Sequence, residues 1–201
     1  MSRHNNLTMR RKRNEQHSLT ERQFLTLADT IEEDTMTKRE TLYAKFEGFE
    51  EEIAHCYFLL HERFIANPPL AKFWAEAAMD ELQHCSILRF CRERGLMADV
   101  NIELKVAEHV GDLLATVKGL ATDPEVSIEE AFYASLLMES SELEETYEKL
   151  TSGLAKAHPL LYEAVHASLR SHHGAFADAA EQFSGDTGFA EAFRNLRRSV
   201  S

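Results

Sequence analysis

The chain has 201 residues, a formal net charge of -12, eight glycines and four prolines. An acidic protein of this size has room for one domain with a proper core, and its charge disfavours nucleic acid as a partner. No apolar run is long enough to span a membrane, so we expect a cytoplasmic protein with no membrane partner. The three cysteines, Cys56, Cys85 and Cys91, form no CxxC pair, which indicates reduced, buried thiols.

The N-terminal region, residues 1–36, is predicted to be an arm ahead of the main domain. Residues 1–18 lack hydrophobic periodicity, and their basic run at 10–13 is interpreted as solvated. No apolar segment follows that run, so it does not resemble a secretory signal. Apolar residues at helical spacing within 19–34 favour a short amphipathic helix.

Two long helices are predicted next, at about 37–65 and 69–94. Apolar residues recur at steps of three and four along both, and a pair of prolines separates them. Gly95 favours the end of the second helix, because glycine is the commonest residue just beyond a helix C-terminus. Since only a few residues join the two helices, they must lie antiparallel.

The rest of the chain predicts three further long helical segments. Residues 101–121 are amphipathic, 126–150 begin with a Ser-x-x-Glu capping-box pattern, and 158–183 follow a His-Pro pair. A short helix is predicted in the C-terminal tail, residues 185–201, and no segment alternates like a strand. We therefore predict an all-α protein, an antiparallel four-helix bundle over 37–184 with a long helical crossover between helices two and three.

The second predicted helix carries two polar side chains, Glu81 and His84, on its apolar face. Steps of three and four residues place them in one stripe with Leu70, Phe73, Trp74, Ala77, Leu88 and Cys91. Burying an unpaired charge is costly, so a glutamate in the core needs a partner. A metal ion is one partner that would bind both groups.

Acidic residues also interrupt the apolar stripes of the first and third predicted helices. Within the triplet at 50–52, Glu50 aligns with Phe46 and is our first choice for an inward position, with Glu51 as the alternative. On the third helix, Glu139 and Glu142 share one stripe. Like charges one turn apart on a buried line cannot both ionise without a cation, so metal ligation is the favoured interpretation.

The fourth predicted helix offers two sets of candidate ligands. Glu163 and His166 repeat the Glu-x-x-His spacing, but they lie on the order of 10 Å closer to the interhelical loop than the third-helix carboxylates require. Arg170 and His173 lie at the expected height. We therefore predict His173 as a ligand and interpret Glu163 and His166 as a surface or loop-end pair. A polar face would also explain His172 and His173.

Taken together, these motifs resemble the rubrerythrin-like branch of the ferritin-like superfamily. They are the acidic run at 50–52 followed by the aromatic pair at 57–58, the Glu81-x-x-His84 motif, and the paired glutamates of the third helix. The resemblance extends over residues 37–95 and 126–183. It implies a ferritin-like bundle that holds two iron or manganese ions and reduces peroxide or oxygen, or oxidises ferrous iron.

The resemblance also implies a site and partners. The expected metal ligands are Glu50, Glu81, His84, Glu139, Glu142 and His173. Iron, as a di-iron centre, is the first expectation, and manganese or zinc also suits carboxylate and imidazole ligands. Tyr57 or Tyr147 is expected to hydrogen-bond a ligand carboxylate. Since the CxxC pairs of a rubredoxin module are absent, an external electron donor is required, and the spare amphipathic segments predict a homodimer.

One departure from the family pattern leaves two alternatives open. The fourth helix carries Arg170 where a carboxylate is expected, and a guanidinium there would replace the charge of a lost metal or pair with Glu139 or Glu142. The first alternative is a non-catalytic protein with one bound zinc or iron ion. The second is a helical interaction protein whose metal site has decayed.

Overall fold

The computed structural model describes residues 36–100 and 104–199, with the backbone alone at 104, 142–144, 197 and 199. The predicted N-terminal arm and its short helix lie outside this part of the chain. All regular structure within the described ranges is helical, so the all-α prediction is confirmed. The chain divides into two compact units, Met1–Thr41 and Leu42–Ser201, and the residues discussed below belong to the second.

Eight helices are present in the described ranges. They are α1 (36–63), α2 (Pro68–Glu93), α3 (Leu104–Thr122), α4 (Ile128–Glu139), α5 (Glu142–Thr151), α6 (Leu154–Ala157), α7 (Pro159–Phe183) and α8 (Thr187–Ser199). Both α2 and α7 have a proline in their first turn, where the missing N–H costs nothing. None of the described helices is long and apolar enough to cross a membrane.

Local chemistry sets two helix ends as the sequence predicts. At the start of α4, the Ser127 hydroxyl accepts the Glu130 N–H and the Glu130 carboxylate accepts the Ser127 N–H, a complete capping box. Beyond α2, Gly95 adopts a positive φ of 65°. A side chain at that position would be strained, so glycine stops the helix there.

The prediction of one continuous third helix over 126–150 is wrong. The helix ends at Glu139, and a new helix, α5, begins at Glu142. The Ser140 hydroxyl donates to the Leu136 carbonyl at 2.6 Å, and the Ser141 N–H donates to the Met138 carbonyl, three residues back. Serine side chains that bond the backbone compete with the helical ladder, and here the helix is interrupted between two candidate ligands.

Ion pairs and hydrogen bonds define the direction of neighbouring helices. Glu47 pairs with Arg92 and Glu51 pairs with Arg89, so α1 and α2 run antiparallel. The contacts of α7 with α4 and α5 also run in reverse order, from Glu139 with His172 at 3.3 Å to Glu148 with His166 at 3.9 Å. Four helical segments therefore place acidic or imidazole side chains at a common level.

An aromatic cluster fills the core on one side of that level. Trp74 lies within 6.1 Å, ring centre to ring centre, of Phe73, Tyr57, Phe132 and Phe176. Burying rings of this size is the largest hydrophobic contribution available to a core. The cluster closes one end of the polar centre described below.

The loop after α2 is held against α1 and α5 by two features. The Tyr43 hydroxyl accepts the Ala98 N–H at 2.8 Å and donates to the Leu150 carbonyl at 2.6 Å. Next to it, a methyl group on Gly153 would lie 2.1 Å from the Leu96 carbonyl oxygen, so only glycine allows the two backbones to approach. The loop leads to α3, which packs on α4 and α5.

Candidate metal centre

Three of the predicted ligands meet between α1 and α2. The His84 Nδ1 atom lies 3.0 Å from a Glu81 carboxylate oxygen and 3.8 Å from one of Glu50. The ligand atoms of these three residues all lie within 4.8 Å of one another. Glu50 is only 2% exposed, whereas Glu51 is exposed and pairs with Arg89 at 2.7 Å. The choice of Glu50 over Glu51 as the inward residue is therefore confirmed.

A second group forms between α2, α4 and α7 and shares Glu81 with the first. The His172 Nε2 atom lies 3.1 Å from Glu81 Oε1 and 3.3 Å from Glu139 Oε1. The ligand atoms of Glu81, Glu139 and His172 again lie within 4.8 Å of one another, and all three residues are buried. Glu81 is thus common to two groups that each contain a second carboxylate and an imidazole.

The α7 residue in this second group is His172, whereas the sequence predicts the adjacent His173 as a ligand. His173 is buried beside the site, with its Nε2 atom 3.5 Å from the other oxygen of Glu139. Adjacent residues on α7 both face inward because the buried stripe there is wide, running from Leu169 through the two histidines to Phe176. Helical spacing places both histidines on the buried stripe, but it does not show which of the two consecutive residues faces the second group.

Three other residues considered from the sequence are Glu142, Glu163 and His166. Glu142 begins α5, three residues after Glu139, and its side chain lies outside the described part of the structure. Glu163 is exposed, as a surface position requires. The surface alternative is wrong for His166, which is buried against the Tyr162 ring at 4.2 Å because it lies seven residues before His173 on the same face of α7. His166 faces Glu148 at 3.9 Å, nearer the interhelical loop than the Glu139–His172 contact, which agrees with the loop-end alternative.

Outer hydrogen bonds hold two residues of the second group in place. The Tyr57 hydroxyl donates to Glu139 Oε1 at 2.7 Å, so of the two predicted tyrosines Tyr57 contacts a candidate ligand carboxylate. The His172 Nδ1 atom lies 3.0 Å from Asp80 Oδ2. Histidines that bind metals almost always donate their second ring N–H to such an acceptor. Asp80 lies immediately before Glu81 on α2, and the apolar stripe that contains Glu81 does not include it.

The electrostatics of the centre keep its carboxylates ionised. Burial raises the pKa of Glu81, but the His172 and His84 imidazoles together outweigh burial and lower the pKa to about 2. Burial likewise opposes ionisation of Glu139, and His172 and His173 nevertheless hold its pKa well below the usual range. Burial lowers the pKa of His172, but Glu139 and Glu81 raise it well above the usual range. In the metal-free protein, His172 is therefore the cation between two carboxylates.

Tyr57 keeps its proton for the same reason. Burial, followed by the negative charges of Glu139 and Glu81, raises the pKa of the Tyr57 phenol well above its ordinary value. The phenol is fully buried between the Trp74 and Phe176 rings. It is therefore a permanent donor to Glu139 and fixes the orientation of that carboxylate.

A small cavity opens at the centre of these side chains. Its lining is polar on one side and apolar on the other, and consists of Glu50, Ile53, Glu81, His84, Met138, Glu139, Tyr147 and Leu169. The cavity is small enough that only an ion or a molecule of a few atoms fits. An extended organic substrate has no room there.

The donor atoms present fit a first-row transition metal. Carboxylate oxygens and neutral imidazoles are the ligands that iron, manganese and zinc accept in proteins. The cavity brings the donors of both groups together, because Glu50, Glu81, His84 and Glu139 all line it. Buried and clustered around one small space, these groups meet the requirements of a metal centre.

Arg170, the departure from the family pattern, lies outside the two groups. It is half-buried on α7, and its positive charge, after burial itself, lowers the pKa of His166. The partners of Glu139 within the described residues are Tyr57, His172 and His173. At this level of the fourth helix, His172 and His173 therefore face the carboxylates of α2 and α4, and Arg170 does not.

Comparisons of this protein with family models, with curated proteins and with solved structures each found no match. The ferritin-like resemblance, the four-helix bundle, the domain division and the dimer therefore stay predictions. The functional assignment rests on the geometry of the centre.

Proposed function

We propose that this protein binds one or two transition-metal ions, with iron as the first candidate, and acts as a non-haem oxidoreductase on peroxide or oxygen or oxidises ferrous iron. The fold that accompanies this function is a ferritin-like antiparallel four-helix bundle with a helical crossover. One observation carries the proposal: buried Glu81 is shared by two groups, each with a second carboxylate and an imidazole within 4.8 Å.

The residues of the centre have distinct parts in this function. Glu50 and His84 would hold an ion on the α1 side, Glu139 and His172 would hold one on the α7 side, and Glu81 would contact both. Bound iron or manganese would supply the one-electron redox chemistry that reduction of peroxide or oxygen requires. The apolar lining residues, among them Met138, make the surroundings of the candidate ligands less polar than water, and the small size of the cavity limits the substrate to a few atoms.

A second candidate function has one observation in its favour. His172 lies within 3.3 Å of oxygens of three carboxylates, those of Asp80, Glu81 and Glu139, so its charge is compensated without a metal. Such a network would stabilise a helical interaction protein that binds no ion. It accounts for the His172 group alone and does not explain why Glu50, Glu81 and His84 offer a second set of ligand atoms within 4.8 Å of one another, which is why we prefer the metal centre.

Metal analysis of protein purified without chelator, followed by titration with ferrous iron and a peroxide-consumption assay, tests the proposal. We expect one or two ions per chain and consumption of peroxide by the iron-loaded protein. Glu81→Gln should abolish both. Glu76→Gln, which removes an exposed carboxylate paired with Lys72 on the same helix, is the matched control and should change neither. Absence of binding by the natural chain, or equal binding by the Glu81 variant, would exclude this function.

A further inference from the structure

The two groups of the centre differ in what holds their histidines. The His172 imidazole is bound on both sides by consecutive residues of α2: its Nδ1 atom lies 3.0 Å from Asp80 Oδ2, and its Nε2 atom lies 3.1 Å from Glu81 Oε1. A carboxylate only accepts hydrogen bonds, so Nδ1 carries a hydrogen and donates to Asp80. In the metal-free protein Nε2 also donates, to Glu81 and Glu139, and it would give up that hydrogen to a metal held by the two carboxylates.

The His84 imidazole has no equivalent support. Its Nδ1 atom faces the Glu81 and Glu50 carboxylates, at 3.0 and 3.8 Å. Its Nε2 atom is buried and has no hydrogen-bond partner among the described residues, and the ring packs on Tyr147 at 4.8 Å. If Nδ1 binds a metal, the ring hydrogen must move to Nε2, where nothing described accepts it. A buried, unsatisfied N–H makes that ligand weaker.

We propose that Asp80 is a positioning residue that makes the Glu81–Glu139–His172 group the tighter of two unequal metal positions. This inference rests on the proposed metal-binding function. Loss of a carboxylate that holds a metal-binding histidine typically lowers metal affinity about 10- to 100-fold. The His172 group is therefore loaded first, and the His84 group is loaded at higher metal concentration.

The position of Asp80 makes this role separable from the stability of the core. The Asp80 side chain is 39% exposed, whereas those of His172 and Glu81 are buried. An Asp80→Asn substitution keeps the size of the side chain and removes the charge at the protein surface. We expect the variant to fold, because no buried charge loses its only partner: His172 keeps Glu81 and Glu139.

Titration of the full-length, metal-free chain with Co²⁺ tests the inference, with calorimetry for affinity and visible absorption for coordination. We expect two phases, the first tighter by at least about tenfold. His172→Gln should remove the tight phase and His84→Gln the weak one. Asp80→Asn should weaken the tight phase about 10- to 100-fold and leave the weak phase unchanged, and Asp80→Glu should restore part of the loss. Asp178→Asn, an exposed aspartate on α7, is the charge-matched control and should match the natural chain.

Each other outcome has a definite meaning. Two equal phases in the natural chain, or an Asp80→Asn titration that matches Asp178→Asn, overturns the inference while the proposed function stands. A single bound ion supports the inference if His172→Gln removes it and overturns it if His84→Gln removes it. These histidine variants decide the matter even if Asp80→Asn fails to fold. A natural chain that binds no Co²⁺ overturns both the inference and the proposed function.

Discussion

Two clusters of charged side chains lie about one turn apart along α1, and different cations balance the buried carboxylates in each. Glu47 accepts two hydrogen bonds from the Arg92 guanidinium, at 2.6 and 3.0 Å. One turn later, Glu50 begins the centre in which Glu81 and Glu139 face imidazoles instead. A guanidinium never loses its proton and cannot bind a metal, whereas an imidazole does both. The first cluster therefore has only a structural role, and the second can exchange a proton for a metal.

The largest effect that separates the clusters concerns stabilisation by metal. An ion at 1,000 times its dissociation constant should stabilise the fold by about 4 kcal/mol, because it binds only the folded chain. Glu81→Gln should lose this increment, and Glu47→Gln should keep it. Urea unfolding with and without the ion measures both. If Glu47→Gln also lost the increment, the division between the clusters would be wrong.

The second largest predicted effect concerns the stability of the metal-free protein at acid pH. Burial raises the pKa of Glu81, but His172 and His84 lower it from 4.5 to about 2. A carboxyl with a depressed folded-state pKa stabilises the fold above its unfolded pKa, and this contribution, about 3 kcal/mol, is lost as the pH falls from 4.5 to about 2. Urea unfolding at a series of acidic pH values should show this loss in the natural chain and in Glu76→Gln. Glu81→Gln should lack it, and an unchanged acid dependence in that variant would contradict the assignment.

Glu47→Gln should cost less, about 2 kcal/mol of unfolding free energy, because it weakens charge-assisted hydrogen bonds to partly exposed arginines. The cost should be equal in metal-free and metal-loaded protein, since Arg92 has no part in the centre. Glu51 lies on the same helix as Glu47, and Glu51→Gln removes only a surface pair with Arg89 of α2. It should cost at most about 1 kcal/mol. Thermal unfolding of the three proteins measures the difference, and a metal-dependent cost at Glu47 would link the clusters.

A smaller effect than that of Glu47→Gln is predicted at Tyr57. Tyr57→Phe removes the hydroxyl that donates to Glu139 at 2.7 Å and keeps the ring packed on Trp74 and Phe176. We expect a loss of about 1–2 kcal/mol and weaker metal binding, since Glu139 is no longer oriented. Tyr133→Phe, at an exposed position on α4, is the control. Equal metal affinity in both variants would show that the hydroxyl does not act on the centre.

Much of this arrangement follows from the spacing of residues in the sequence. Period-3.6 stripes predict the long helices, and the same stripes bring Glu50, Glu81, His84 and Glu139 inward, since a residue in line with buried side chains must itself be buried.

The three cysteines also agree with the sequence. The thiols of Cys56, Cys85 and Cys91 are free and buried, as expected, and burial is the main reason that the pKa of each is raised to about 11. Such thiols react slowly with alkylating agents while the chain is folded.

Three features of the centre do not follow from one-dimensional spacing. The helix break after Glu139 depends on serine hydroxyls bonding the backbone, a local competition that apolar periodicity does not record. The selection of His172 over His173 depends on the rotation of α7 by a fraction of a turn, and the role of Asp80 depends on a contact across 92 residues of chain. The last two depend on tertiary contacts, which is why the sequence alone selects His173 and omits Asp80.

The most direct test of the central claim is an anomalous-scattering map of crystals soaked in ferrous iron or Mn²⁺. We predict a peak about 2.0–2.2 Å from a carboxylate oxygen of Glu81, with His172 Nε2 as a ligand. A second, weaker peak should lie beside His84 Nδ1. A map with no peak at Glu81, in which His172 still bridges Glu81 and Glu139, would contradict the claim and identify the centre as a metal-free polar core.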